Sequence, residues 1–260
     1  MATSLYHDII FGPVHSRRLG LSLGVNLLPL ESKLCSFNCI YCECGWTQGG
    51  GQPRFNRRED VRRLLGEKLR SMVEEGTPPD VITFAGNGEP TLHPDFEAII
   101  EDTLALRDAL CPAARVSVLS NATQIGRPAV RRALLRVDNN ILKLDSAFDE
   151  TVRLIDGPQG GYSVAATVEG MMRFEGRMIL QTMFLRGEYD GRRVDNTVPR
   201  EVDAWLEIVV RVRPSRVMIY TIDRDTPAEG LEKVSVEDME RIARRVEELG
   251  IPCSVSGSTR

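Results

Sequence analysis

Short apolar segments alternate with amphipathic segments about six times along this chain, and this alternation limits the folds that are open to it. An apolar run of four to eight residues is typical of a strand that is covered on both faces, and the amphipathic runs between them are typical of helices. Strict alternation predicts a parallel sheet with crossover helices, which is an α/β fold. An open doubly wound sheet and a barrel both fit the pattern. No repeat or linker divides the sequence, so we predict a single domain.

The bounds of the predicted elements follow from the hydrophobic period and from Gly, Pro and Ser at the ends. We predict strands at Val25–Leu28, Val81–Ala85, Val116–Leu119, Ile141–Leu144, Met178–Leu185 and Val217–Tyr220, with a short last strand at Cys253–Ser256. We predict helices at Arg58–Glu75, Pro94–Leu110, Ala129–Arg136 and Ser163–Phe174, one that starts near Thr197, and one that runs from a Ser235 cap to Gly250. Two polar segments without periodicity are predicted to be loops, Gly45–Asn56 and Arg186–Asn196.

Three cysteines, Cys35, Cys39 and Cys42, follow the first predicted strand at spacings of four and three. Thiolates favour soft metal centres such as zinc, copper(I) and iron–sulfur clusters. Iron–sulfur clusters usually take four cysteines and structural zinc sites are closed by four ligands. Three ligands therefore leave one coordination position for a substrate or a cofactor.

This CxxxCxxC spacing, with Tyr41 just before the last cysteine, resembles the signature of the radical S-adenosylmethionine (SAM) enzymes. The resemblance implies that Cys35, Cys39 and Cys42 bind a [4Fe–4S] cluster whose fourth iron chelates SAM. It also implies reductive cleavage of SAM to methionine and a 5′-deoxyadenosyl radical, which abstracts a hydrogen atom from a substrate. The implied fold is a partial (β/α)6 TIM-like barrel with parallel strands. An electron donor such as flavodoxin or ferredoxin is implied as well.

A glycine-rich turn follows the Val81–Ala85 strand, where parallel α/β folds place their sites. Gly86, Asn87, Gly88 and Glu89 form this turn. Glycines let a backbone approach a ligand closely, and a carboxylate can pair with an ammonium group. Taken alone, this is also an ordinary strand-to-helix turn. Together with the cysteines it resembles the family's GGEP motif, which implies that these four residues bind the methionine part of SAM, with Asn87 replacing the second glycine.

Two further strand ends carry polar residues, Asn121 and Asp145. By their position they resemble the parts of the family's barrel that contact the carboxylate or ribose of SAM. Asn and Asp also favour strand exits as turn residues, so both interpretations stay open. We count both residues as candidate cofactor ligands.

Cys44 and His93 lie close in sequence to the candidate ligands. With Cys44, four nearby cysteines could form a structural zinc site, so a zinc-bound structural or interaction module is one alternative. The full CxxxCxxCxC spacing is not a usual one for a zinc knuckle, and the sequence has no second cysteine pair downstream. We expect His93 to be a cap or a packed side chain. We expect the isolated Cys111 and Cys253 to be small buried residues.

A second resemblance narrows the family. The segment from Gly12 to Gly20 and the segment from Tyr220 to Pro227 resemble uncharacterised prokaryotic radical SAM proteins that are grouped with the tRNA-wybutosine synthesis enzymes. The resemblance implies a radical SAM core at about residues 22–225, an extension at 1–21, and a C-terminal helix and strand at 235–257. It makes a tRNA base-modifying enzyme a second alternative.

Composition limits the partners. The formal net charge is −4, so bulk attraction to nucleic acid or to an anionic membrane is not indicated. Apolar runs fall short of the roughly 20 residues that span a bilayer, and the first residues lack the apolar core of a signal peptide, so we expect a soluble cytoplasmic protein. Five arginines flank the cysteines and could attract a nucleotide or RNA if the fold gathers them, or they are surface charge; they are Arg17, Arg18, Arg54, Arg57 and Arg58.

Overall fold

The computed structural model describes residues 5–16, 20–47 and 54–256. The strands are β1 (Ile10–Ser16), β2 (Gly20–Val25), β3 (Val81–Phe84), β4 (Arg115–Ser120), β5 (Asn139–Lys143), β6 (Ile179–Met183), β7 (Leu185–Tyr189), β8 (Arg192–Asp195), β9 (Arg216–Tyr220), β10 (Leu231–Lys233) and β11 (Cys253–Ser256). The helices are α1 (Arg58–Glu74), α2 (Phe96–Leu110), α3 (Pro128–Leu134), α4 (Asp149–Asp156), α5 (Val164–Met172), α6 (Pro199–Val212) and α7 (Val236–Glu247), with a 3₁₀ turn at Pro90–Leu92.

Eight strands form one sheet in the order β1-β2-β3-β4-β5-β6-β9-β11. Every pair from β2 to β11 is parallel, and β1 pairs with β2 in antiparallel orientation. Six parallel strands, β2 to β6 and β9, follow one another in chain order, and a helix precedes each of the last five. β1 and β11 stand at the two edges. The predicted partial (β/α)6 barrel with parallel strands is therefore confirmed, with one further strand at each edge.

The two faces of this sheet differ in chemistry. Leu23, Ile82, Val116, Leu142 and Val217 point outward and join the main hydrophobic core with residues of the surrounding helices. Their neighbours along the strands point inward, because side chains alternate across a strand. Inside, Ile141, Ile179 and Met218 form a small apolar cluster, and the inner face also carries polar residues, including Ser22, Thr83, Ser117, Lys143 and Gln181. Several of these groups bond to one another: the hydroxyls of Ser22 and Thr83 lie 2.8 Å apart, and the Asn139 amide donates to Ser117 at 2.8 Å. Lys143 lies at the carboxyl end of β5, where parallel α/β folds place their sites.

The first parallel strand lies earlier in the chain than predicted. It is Gly20–Val25, and the predicted strand Val25–Leu28 is wrong. Asn26 turns the chain at this point, because its side-chain oxygen accepts the amide of Leu28 at 3.1 Å and that of Asn87 at 3.3 Å. The glycine in the strand has a packing reason, since a β-carbon on Gly24 would lie 2.2 Å from the ring of Phe11.

The predicted loop Arg186–Asn196 is wrong as well. This segment forms the hairpin β7–β8, which turns at Asp190 and Gly191 with φ of 52° and 65°, and β10 pairs with β7 to complete a three-stranded antiparallel sheet. Asp-Gly with both residues at positive φ is a favoured two-residue hairpin turn. The small sheet packs against the cysteine segment through a second hydrophobic cluster that includes Ile40, Leu185 and Val194.

The other predicted helices and strands match the structure to within a few residues at their ends. Ser235 caps α7 by accepting the amide of Asp238 at 3.1 Å, as predicted. The short helix α4 was not predicted. Across the part of the chain that the structure describes, every helix is too short or too polar to cross a membrane.

Candidate functional site

The cysteine loop, residues 34–47, is attached to the loop after β3 by backbone contacts. Leu34 forms an isolated parallel bridge with Gly88. The Leu34 amide donates to the carbonyl of Asn87 at 2.8 Å, and the Leu34 carbonyl accepts from the amide of Glu89 at 3.1 Å. The two segments that the sequence predicted to bind a cluster and SAM therefore lie side by side at the carboxyl edge of the sheet.

The end of α4 supports the cysteine loop from another side. The amide of Asn38 donates to the carbonyl of Asp156 at 2.8 Å, and the amide of Ile40 donates to that of Ile155 at 2.9 Å. Helix α4 ends at Gly157, which adopts a left-handed conformation with φ of 49°. Glycine tolerates this conformation, and the turn allows the last carbonyls of the helix to face the loop.

The first two thiols of the motif have different neighbours. The sulfur of Cys35 accepts from the amide of Phe37 at 3.4 Å and from the side-chain amide of Asn121 at 3.6 Å. The sulfur of Cys39 accepts from the ammonium of Lys143 at 3.2 Å. Cys35 thus has neutral hydrogen-bond donors, while Cys39 has a cation as its donor.

The third thiol, Cys42, is paired with Cys44. This hydrogen bond lowers the pKa of Cys42 to about 5, with help from the Lys33 ammonium and against the effect of burial. The same contact raises the pKa of Cys44. The sulfur of Cys44 lies 3.4 Å from the carbonyl of Gly86, and Lys33 donates to the carbonyl of Gly45 at 2.7 Å.

The three motif thiols are neighbours of one another. Burial raises the pKa of Cys35 to about 12 and that of Cys39 well above its usual value, and the charge of Cys42 adds to both increases. All three side chains are partly exposed. Three neighbouring, partly exposed thiols can serve as ligands of one soft metal centre, since thiolates favour iron–sulfur clusters and zinc.

The described residues, 5–16, 20–47 and 54–256, include no group of three or more His, Cys, Asp or Glu side chains arranged around a single metal ion.

The glycines of the loop after β3 have a reason within the protein. A β-carbon on Gly88 would lie 1.8 Å from the carbonyl oxygen of Leu34, and one on Gly86 would lie 2.6 Å from the side-chain oxygen of Asn26. Both glycines also have positive φ, 138° at Gly86 and 135° at Gly88. The close approach that the sequence suggested for a ligand is thus made by the chain itself.

Glu89 is buried, with 3% of its surface exposed, and its carboxylate accepts several hydrogen bonds. Donors are the amide and hydroxyl of Thr91, the hydroxyl of Ser120 at 2.8 Å, and the amide of Asn121 at 2.7 Å. Burial raises the pKa of Glu89, and these hydrogen bonds oppose the increase. Glu89 therefore caps the 3₁₀ turn and joins the ends of β3 and β4.

The Asn87 side chain points to the N-terminal segment. It accepts from the amide of Tyr6 and donates to the carbonyls of Tyr6 and Pro29, each at 2.8 Å. The amide that replaces glycine in the motif thus fastens the segment before β1 to the edge of the sheet.

Asn121 lies against the cysteine loop. Its side-chain amide donates to the hydroxyl of Ser36 at 2.9 Å, as well as to Cys35, and its oxygen accepts from the amide of Thr123 at 3.1 Å. Asp145 lies deeper, beyond β5. Its carboxylate accepts from the Tyr41 hydroxyl and from the amide of Met183 at 3.0 Å.

Sequence reasoning missed two members of the site, Lys143 and Asp156, and gave Tyr41 no role beyond the cysteine signature. Lys143 is the last residue of β5, and its ammonium lies 3.0 Å from Asp145 and in direct contact with Asp156. The Tyr41 hydroxyl donates to both carboxylates. The alternation along β5 could have identified the lysine, because Ile141, Lys143 and Asp145 fall on the face opposite to Leu142.

A cavity of about 300 Å³ opens beside the cysteine loop at the carboxyl ends of β4, β6, β9 and β11. Its lining includes Tyr6, Tyr41, Met183 and Tyr220, together with the ion pair between Arg224 and Glu43 at 2.6 Å. Thr182 of β6 does not line this cavity: its hydroxyl donates to the carbonyl of Leu144 at 2.7 Å and accepts from the indole of Trp205 at 3.1 Å.

The arginine patch predicted from the sequence is only partly described. Arg17 and Arg18 lie outside the described residues. Arg58 makes a two-point contact with Asp102 of α2, at 2.7 and 3.0 Å, and Arg57 lies 3.5 Å from Glu59. Asp102 is thus a compensating anion for the arginine at the start of α1.

One family model matches more than half of this chain. The family model described as the Radical SAM superfamily matches residues 32–196. A protein of Brachyspira hyodysenteriae named GTPase Obg is 31% identical over 92% of this chain and 33% of its own length. A UPF0026 protein of Methanocaldococcus jannaschii is 35% identical over 68% of this chain and 54% of its own length. The chain thus spans about a third to a half of these two curated relatives.

Solved structures show the same fold at low identity. A radical SAM methyltransferase from Sphaerobacter thermophilus superposes with a TM-score of 0.67 at 16% identity, over 92% of this chain and 67% of that one. A structure of TYW1 with a lysine–pyruvate adduct bound superposes with a TM-score of 0.59 at 14% identity, over 87% of this chain and 73% of that one.

Proposed function

This chain belongs to the radical SAM superfamily, and on that basis we propose that it binds a [4Fe–4S] cluster through Cys35, Cys39 and Cys42 and cleaves SAM reductively. The contact between Leu34 and Gly88 is the observation that carries the proposal, because it puts the candidate cluster ligands beside the candidate SAM loop. When bound, the cluster supplies the electron that cleaves SAM to methionine and a 5′-deoxyadenosyl radical. The protein supplies the binding site, the orientation and the electrostatics.

In this proposal each candidate residue has a defined task. The Glu89 carboxylate and the backbone of Gly86, Asn87 and Gly88 bind the amino end of SAM. Three of the four donors to Glu89 bond to Oε1 and one, the Asn121 amide, bonds to Oε2. A carboxylate oxygen has two lone pairs, so Oε2 has one left for an ammonium group. Asn121 and Asp145 stay in the proposed cofactor set, because they follow the neighbouring strands β4 and β5.

The cavity beside Tyr41 is the proposed substrate site. Tyr41 lies between Cys39 and Cys42 in sequence, so a molecule in the cavity would be next to the cluster loop. A volume of about 300 Å³ suits a small molecule or one base or side chain of a larger one. Its charged residues, Glu43, Asp223 and Arg224, are two acids and one base, which does not favour a polyanion.

Anaerobic reconstitution tests the proposed function. The protein should take up about four iron atoms and four acid-labile sulfides per chain, as a [4Fe–4S] cluster requires. With SAM and a strong reductant, or with reduced flavodoxin or ferredoxin, it should then form methionine and 5′-deoxyadenosine in equal amounts. Zinc without iron or sulfide would contradict the proposal and favour the zinc-bound module.

Modification of a tRNA base is a narrower form of the same proposal. The similarity to TYW1 supports the fold that such an enzyme would use. A tRNA substrate predicts binding that weakens steeply as salt rises, because phosphate contacts release counterions. A filter-binding assay with total tRNA at low and high salt tests it, with Arg17→Ala/Arg18→Ala as the variant; no binding at low salt would contradict it.

A further inference from the structure

A mostly buried lysine lies against one of the three candidate cluster ligands. Lys143 is 11% exposed, and its ammonium donates to the sulfur of Cys39 at 3.2 Å. It also lies 4.6 Å from the centre of the Tyr41 ring and 5.4 Å from that of Phe37. Both rings face the cation, which is a favourable arrangement for a desolvated ammonium.

Two carboxylates fix the position of this ammonium. It contacts Asp156 of α4 directly and lies 3.0 Å from Asp145. Asp145 is itself fixed by the Tyr41 hydroxyl and by the amide of Met183 on β6. The ammonium therefore lies between two opposite charges and the Cys39 sulfur, which holds the lysine head beside the candidate ligand.

Taken as a cluster ligand, Cys39 differs from Cys35 in the charge of its donors. The donors to Cys35 are the neutral amides of Phe37 and Asn121. A reduced cluster carries one more negative charge than an oxidised one, and charges interact strongly where water is excluded. A cation or a hydrogen bond at a ligand sulfur therefore favours the reduced form, which is one of the ways in which proteins tune such centres.

We infer that Lys143 is a positioning residue that holds the Cys39 thiolate and raises the reduction potential of the cluster, with Asp156 opposing it. This inference rests on the proposed function, because it requires that Cys39 binds the cluster. On reduction the cluster would gain one electron from the external electron donor, and no bond or proton would move at Lys143. The two side chains therefore have opposite effects on the same measured quantity.

An EPR-monitored redox titration of the reconstituted protein in mildly alkaline buffer tests the inference. In Lys143→Met, the ratio of reduced to oxidised cluster at the wild-type midpoint should fall about tenfold or more, which is about 59 mV for one electron. Asp156→Asn keeps the lysine and removes the opposing negative charge, so the ratio of reduced to oxidised cluster at the wild-type midpoint should rise. Lys68→Met on α1 removes one positive charge from the outer layer and is the matched control, with no expected change.

Either variant alone can overturn the inference. A potential in Lys143→Met equal to that of wild type would overturn the inference, since a purely structural lysine would change stability and leave the potential alone. Should Lys143→Met fail to keep its cluster, Asp156→Asn still decides, and an unchanged or lower potential there would overturn the inference. If the inference fails but the wild-type protein binds iron and sulfide as a [4Fe–4S] cluster, the proposed function still stands. A wild-type protein that takes up no iron and sulfide contradicts the proposed function itself.

Discussion

The carbonyl oxygen of Leu34 lies 1.8 Å from the point that a β-carbon on Gly88 would occupy. The parallel bridge between these two residues joins the cysteine loop to the end of β3. A side chain at position 88 would push the two segments apart, and the candidate cluster ligands would move with the loop.

We therefore predict that Gly88→Ala destabilises the protein by about 2–4 kcal/mol, from the positive φ of 135° and from steric overlap. Urea unfolding of the apo protein measures the effect. Gly126→Ala is the matched control, because a β-carbon there would meet nothing within 4 Å. Equal unfolding free energies for the two variants would show that the loop contact adapts freely.

The cysteine variants should divide into two groups. Cys35→Ala, Cys39→Ala and Cys42→Ala should each lose the cluster and all SAM cleavage, because each removes one of three ligands. Cys44→Ala should keep the cluster, since a fourth protein thiolate would occupy the iron that SAM needs. Iron and sulfide counts after anaerobic reconstitution make the comparison, and a Cys44→Ala protein as poor in iron as Cys39→Ala would refute the ligand set.

Glu89 is expected to have two roles that two variants separate. Glu89→Ala leaves the donors on Thr91, Ser120 and Asn121 without an acceptor and should cost about 2–5 kcal/mol of stability. Glu89→Gln keeps an acceptor oxygen but loses the charge, and should weaken SAM binding by about one to two orders of magnitude, since a charge-assisted bond contributes about 1.5–3 kcal/mol. Calorimetry with SAM on the reconstituted Glu89→Gln protein decides whether the carboxylate contacts SAM. If this variant binds SAM as tightly as the wild type does, Glu89 only caps the 3₁₀ turn.

Asn87→Ala should loosen the N-terminal segment. The change removes three hydrogen bonds to Tyr6 and Pro29, which we expect to cost about 1–3 kcal/mol. Faster hydrogen exchange at the Tyr6 amide, together with a lower urea midpoint, is the expected result. An unchanged exchange rate at Tyr6 would mean that other contacts hold this segment.

His93 should make stability depend on pH. Burial lowers its pKa, while its ring bonds to the carbonyl of Asn56 and accepts from the amide of Asp95. Below pH about 6.5 the unfolded chain binds a proton that the folded protein does not, so stability falls as pH falls toward the lowered value, by at most about 1.4 kcal/mol per pH unit. Above pH about 6.5 the effect is absent. Urea unfolding from pH 7.5 to 5.5 should give a shallower slope for His93→Gln, and parallel slopes would contradict the prediction.

The period of apolar residues predicted the parallel strands well, because a strand that is covered on both faces has a sequence signal of its own. The period did not predict strands whose pairing partners lie far away in the sequence. The hairpin β7–β8 is polar and completes its sheet with β10, about 40 residues later, although Asp190 and Gly191 carried a turn signal. Helix α4 is eight residues long and its start has no cap signal, since its N-cap residue is Phe148, whereas Pro128 marks the start of the seven-residue helix α3.

The candidate site shows a similar division. The spacing of Cys35, Cys39 and Cys42 is local, so the sequence was enough to propose a ligand set. The contact between Lys143 and Cys39 joins residues 104 positions apart and depends on the register of β5. Sequence also could not decide what approaches Gly88, because a ligand and the chain's own backbone both require glycine.

The backbone contacts from α4 to Asn38 and Ile40 have a thermodynamic consequence. Ordering a residue costs roughly 1–2 kcal/mol of conformational entropy, and in small zinc domains the metal must supply that free energy when it binds. Here helix α4 supplies part of that order, because its last carbonyls accept from the amides of Asn38 and Ile40. We therefore expect cluster assembly to proceed on a rigid template, with iron affinity undiminished by coupled folding and with an apo protein that stays native when the metal is removed.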